Sequence, residues 1–165
     1  MTRDQKIVAT GAASGIVTMI VSVWLLQKVL PVPSADPVPY ALSWLAFAAL
    51  PLFFMVAAIG NARFTSEAID PTLGKESPRM IVDARVAENT LQQFVLFAAG
   101  SLALAVNLPV DQLEIVGAVS IVFVVMRFAF WVGYRVGPIY RAFGFAGTAY
   151  LNLGLLASSL WLSAT

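Results

Sequence analysis

The sequence predicts an all-α fold, a polytopic membrane bundle of five spanning helices, and three observations predict it. Hydrophobic residues make up 59% of the 165 and charged residues only 12%, about half the ~25% charge of ordinary soluble domains. Mean hydropathy is +0.83. Five apolar runs, each near the ~20 residues a spanning helix needs, are separated by proline-rich or charged breaks.

The first run extends from Ile7 to Leu30, behind Arg3 and Lys6. A basic start before an apolar stretch also opens a secretory signal, but this run is longer than the usual ~7–15 residues and lacks a clean cleavage site. It is expected as a retained helix. Pro31-Val32-Pro33-Ser34-Ala35-Asp36-Pro37-Val38-Pro39 follows as a proline-rich turn. The second run spans about Tyr40 to Gly60, and the polar stretch Asn61 to Ala84 follows it. The third begins near Arg85 and reaches Leu108, where Asn107-Leu108-Pro109-Val110-Asp111 makes a short connector. The fourth runs from about Leu113 to Tyr134. Arg135-Val136-Gly137-Pro138 joins it to the fifth, about Ala142 to Ala164. Gly11 and Gly15, and likewise Gly133 and Gly137, are spaced to let helices approach closely. Trp24, Trp44, Trp131 and Trp161 read as interfacial or packing residues.

Basic residues set the expected orientation, because Lys and Arg favour the cytoplasmic side. Five spans place Arg3, Lys6, Arg63, Lys75, Arg79, Arg85, Arg135 and Arg141 on one side and Lys28 alone on the other. The tenth, Arg127, lies inside a span. The expectation is an integral, multi-pass protein with a cytoplasmic N-terminus and an external C-terminus, in the inner or plasma membrane of a bacterial source. The same split supports the count of five, since dropping any one span scatters the charges.

Composition narrows the chemistry. Cysteine and histidine are both absent. That removes disulfides, thiolate nucleophiles, zinc sites of the thiolate or HExxH kind, Ser-His-Asp triads and a histidine general base. A net charge of +1 gives no bulk basic patch for nucleic acid. Chemistry must come from Arg, Tyr, Asn, Gln and a few carboxylates, or from a bound cofactor.

Several polar residues lie where lipid disfavours them. Arg127 sits about 12 Å into the fourth span, where placing an arginine costs at least ~2.5 kcal/mol. It either snorkels or pairs structurally with Glu88, or it forms the cationic wall of an anion-binding cavity. Tyr134, seven residues on, shares its helix face and can donate into the same space. At the head of the third span Arg85, Asn89 and Gln92 form one polar stripe, with Glu88 beside it. Such a stripe faces protein or a cavity, as interhelical hydrogen-bond glue or as a binding wall. Arg141, entering the last span after Pro138, and Arg63, closing the second, are each either interfacial anchors or site residues. The convergence of four arginines and a tyrosine near one membrane face suggests a ligand with more than one carboxylate.

These residues resemble a known family. Arg85-x-x-x-Asn89-x-x-Gln92, opening a span after a charged loop, is similar to the signature of the MAPEG superfamily, membrane-associated proteins in eicosanoid and glutathione metabolism. Gly60-Asn61-Ala62-Arg63 resembles the end of that family's first helix, and Arg127, Tyr134, Pro138 and Arg141 continue the likeness. It covers about residues 40–163. The resemblance implies a MAPEG-like four-helix domain over 40–165, with 1–39 adding an extra N-terminal transmembrane helix and its turn. It implies a homotrimer with glutathione as co-substrate between neighbouring subunits at the cytosolic side. Arg63, Arg85, Glu88, Asn89, Gln92 and Arg127 would bind glutathione, with Arg141 and Tyr134 catalytic through the thiolate. A lipophilic small-molecule substrate would enter from the bilayer.

This chain departs from the family pattern in three ways. Gln92 stands where the family has a glutamate, and Glu88, one turn away, either replaces it or neutralises Arg85. Ala87 stands where a histidine is common. The first helix is additional. The expected function is conjugation or reduction of lipophilic electrophiles or peroxides with glutathione. A non-catalytic lipid- or glutathione-binding scaffold of the same fold, or a small membrane transporter, is the alternative.

Overall fold

The computed structural model of the chain describes residues 1–33 and 36–165, so Ser34 and Ala35 of the expected proline-rich turn lie outside the described residues. The helices are α1 (Arg3–Val29), α2 (Pro37–Ala48), α3 (Leu50–Phe64), α4 (Pro78–Asn107), α5 (Glu114–Val136) and α6 (Ala142–Ala164). They make five spans long and apolar enough to cross a membrane, and no strand occurs among the described residues.

Local chemistry explains where the helices begin. Thr2 caps α1 through a reciprocal pair: its hydroxyl accepts from the Gln5 amide at 3.2 Å, and Gln5 Oε1 accepts from the Thr2 amide at 2.9 Å. The second span is two helices rather than one. Pro51 has no N–H for the carbonyl four residues back, and its ring crowds that carbonyl, so α2 stops at Ala48 and α3 restarts at Leu50. α4 starts at Pro78, seven residues before the expected Arg85. The Ser77 hydroxyl accepts from the Met80 amide at 3.3 Å, and proline suits a first helical turn. Residues 78–84 read as loop because Arg79 and Asp83 interrupt the apolar run in this added helix, about 10 Å long.

α5 is the most buried span and α1 the least. α6 packs against α1, α4 and α5, while α2 and α3 lie against α4 and α5. In lipid the hydrophobic effect does not by itself hold helix to helix, so close packing and interhelical hydrogen bonds must. Both are present. Phe97 and Phe123 stack with centroids 4.4 Å apart at the centre. A Cβ at Gly15 would collide with the Phe143 backbone, and one at Gly144 with the backbone of Met126 and Phe130. Glycine there lets α1 meet α6, and α6 meet α5, at backbone contact. Between α4 and α6, buried Asn152 donates from Nδ2 to the Gln93 side chain at 2.8 Å and to its carbonyl at 2.9 Å.

Candidate functional site

A cavity of about 480 Å³ opens at the end of the bundle that carries the N-terminus. α4 contributes Arg85 and Asn89, one turn apart. α5 contributes Phe130 and Tyr134, again one turn apart. The turn into α6 contributes Pro138, Ile139 and Arg141, and α1 contributes Val8. Helical spacing therefore aims two pairs of side chains at one space from facing helices.

Arg141 is held at this cavity. Its Nη1 donates to the Pro138 carbonyl at 2.7 Å, and its guanidinium carbon lies 5.0 Å from the centre of the Tyr134 ring. Tyr134 in turn meets Phe130 edge-to-face at 5.8 Å. A cation is thus fixed against the Tyr134 ring at the start of α6, where the helix dipole also favours negative charge.

Arg127 stands one layer behind the wall rather than in it. It is fully buried. Its Nη1 donates to Asn89 Oδ1 at 3.0 Å, and its guanidinium carbon lies 4.3 Å from the Phe130 ring centre. Its Nε and Nη2 are buried with no protein partner. The contact with Asn89 replaces the pairing with Glu88 expected of a purely structural arginine. Each unmade hydrogen bond of a buried group costs about 1–3 kcal/mol, and more for a charged one, so the site holds a cation short of partners. Because Asn89 Oδ1 accepts from Arg127, its amide N–H groups remain for the cavity.

Arg85, Asn89, Tyr134 and Arg141 are thus brought together, with Arg127 in contact through Asn89. The chain does not bring Arg63, Glu88 or Gln92 to the cavity. Arg63 lies at the end of α3, 3.4 Å from Glu76. Glu88 and Gln92 are exposed on α4. Gln92, about 10 Å deeper than Arg85 along the helix, does not line the cavity.

Sequence reasoning missed two polar clusters. Asp83, nearly buried, accepts from Arg135 through both carboxylate oxygens, at 2.8 and 2.7 Å, and from Trp131 Nε1 at 2.7 Å. This clamps α4 to α5. The Gln93–Asn152 bond was the second. A polar residue in the last apolar run, Asn152, was the available signal for it.

The arrangement suits anion binding. Two arginines, a phenol and an amide face one space and a third arginine backs it, and guanidinium groups bind carboxylates by strong, often paired hydrogen bonds. No group of three or more Asp or Glu able to hold a metal occurs among the described residues.

A model of the MAPEG family matches residues 41–161. The chain is similar to Transmembrane protein 79 of Bos taurus, 25% identical over 122 residues, or 74% of this chain and 30% of the relative. It is 26% identical over 122 residues to Transmembrane protein 79 of Mus musculus, with the same shares. The chain thus spans about 30% of the length of the curated relatives it matches. No solved structure matches it.

Proposed function

The chain belongs to the MAPEG family, and from that premise we propose that it is a membrane-embedded glutathione-binding protein that conjugates or reduces lipophilic electrophiles or peroxides. The observation that carries the reading is the convergence of Arg85, Asn89, Tyr134 and Arg141 on one cavity backed by a cation with unpartnered donors.

The donor set fits glutathione, which has two carboxylates and a thiol. The cavity's volume of about 480 Å³ falls in the ~300–1,000 Å³ range of small-molecule sites. Bound glutathione supplies the nucleophilic sulfur, and the chain's own residues do the rest. Arg85 pairs a carboxylate. Arg127 fixes the Asn89 amide so that its N–H groups point to the ligand. The Arg141 guanidinium favours the thiolate over the thiol electrostatically, and the Tyr134 hydroxyl donates a second hydrogen bond.

The proposed assembly is a homotrimer with the N-terminus cytoplasmic. Glu88 and Gln92, exposed on a spanning helix, support a neighbouring subunit, since polar groups in a span face protein or a wet cavity. Arg63, remote from its own chain's cavity, would serve the neighbour's.

Calorimetric titration of glutathione into the detergent-solubilised full chain tests the reading. Wild type binds, and Arg85→Ala loses roughly tenfold to a hundredfold in affinity, as for a charge-assisted bond of about 1.5–3 kcal/mol. No binding by wild type would overturn it. A second reading, a non-catalytic scaffold, is favoured by Gln92, which lacks the carboxylate of the family glutamate. It predicts binding without any lowering of the thiol pKa.

A further inference from the structure

We propose that this protein holds the acyl chains of one bilayer phospholipid in a groove between α1 and the rest of the bundle, in the leaflet opposite the candidate glutathione site. α1 and α6 touch backbone to backbone at Gly15 and Phe143. Beyond that contact they separate around a groove of about 930 Å³. Met19 and Val23 of α1 form one wall. Leu104 of α4, Val119 of α5, and Leu151 and Leu155 of α6 form the other.

The dimensions identify the occupant. Along α1 the groove runs from Ile16 to Gln27, about 16 Å of helix, or half of a hydrocarbon core ~30 Å thick. That is the depth of one leaflet. A volume of about 930 Å³ over that length gives a mean cross-section of about 60 Å². Extended acyl chains suit a cleft of this length and width, and a helix from a second copy, ~10–12 Å across, is the occupant that inter-copy cross-links would reveal. Water does not suit the apolar stretch between Met19 and Leu155, which offers it no hydrogen-bond partners.

The polar groups are arranged for a lipid. Gln27 and Gln112 line the groove near the far ends of α1 and α5, at the depth where ester and headgroup oxygens lie. Lys28, its ammonium 3.5 Å from the centre of the Trp24 ring, sets a cation at the same level for the phosphate. The groove depends on α1, which lies outside the residues matched by the family model.

The test uses the full chain in phosphatidylcholine vesicles containing a trace of phosphatidylcholine with a photoactivatable diazirine in its acyl chain. Labelled residues are mapped by mass spectrometry. Met19, Val23 and Leu155 should carry several-fold more label than Phe53, which is 65% exposed on the outside of the bundle. Gly154→Phe fills the groove, since a Cβ at this lining position has no atom within 4 Å. It should cut the groove label several-fold and leave Phe53 unchanged. Ala157→Phe, at another lining position, serves if the first variant does not fold. Equal labelling of groove and Phe53, or groove labelling indifferent to both fillers, would overturn the proposal. So would cross-links joining α1 of one copy to α6 of another across this groove.

Discussion

Arg127 carries a full charge into the bundle and donates one hydrogen bond, to Asn89. If it acts on the ligand through that amide, Arg127→Ala and Asn89→Ala are not independent. A double-mutant cycle on glutathione affinity should give a coupling of about 0.5–3 kcal/mol; additive losses would place Arg127 outside the binding chemistry. The proposed function gives Arg141 a different task. Arg141→Leu should lower kcat about a hundredfold, in the range for a lost anion-stabilising donor, with little change in KM for glutathione. A fall in affinity alone would make it a binding residue. Arg127 was legible in the sequence because a charge inside an apolar run stands out, and Arg85, Tyr134 and Arg141 because of their spacing at the ends of spans. Which neighbour each one meets was not. Gln92 and Gln93 differ by one position, about 100° around a helix, and it is Gln93 that finds a partner, 59 residues away.

The five spans followed from hydropathy because a bilayer imposes length and polarity on every helix that crosses it. The last span, expected at about Ala142 to Ala164, is the α6 observed. Departures occur where local chemistry overrides hydropathy: at Pro51, which divides the second span, and at Ser77, whose cap starts α4 early. The second departure hid Asp83 in what read as a loop. Asp83 now stands as the acceptor that ties α4 to Trp131 and Arg135 of α5. Asp83→Ala leaves both donors unpaired and should destabilise the fold by about 1.5–3 kcal/mol, seen as a lower melting temperature in detergent. An unchanged melting temperature would mean the clamp contributes nothing.

At the scale of the molecule, eight basic residues on one side against Lys28 on the other predict that the loop holding Lys75 and the terminus at Thr165 lie on opposite sides of the membrane. The chain has no cysteine, so Lys75→Cys and Thr165→Cys give clean single labels; Ser77 is avoided because it caps α4. Labelling of both sites from the same side would contradict the orientation. Native mass spectrometry in detergent should find three chains, and a stable monomer with full glutathione affinity would contradict a site shared between subunits. Whether the assembled protein activates glutathione is read most directly from thiolate absorbance in the ultraviolet, titrated against pH with glutathione bound to the wild type. The arrangement of Arg141 and Tyr134 at the start of α6 predicts a thiolate transition well below that of free glutathione. A transition coinciding with that of the free peptide would contradict it.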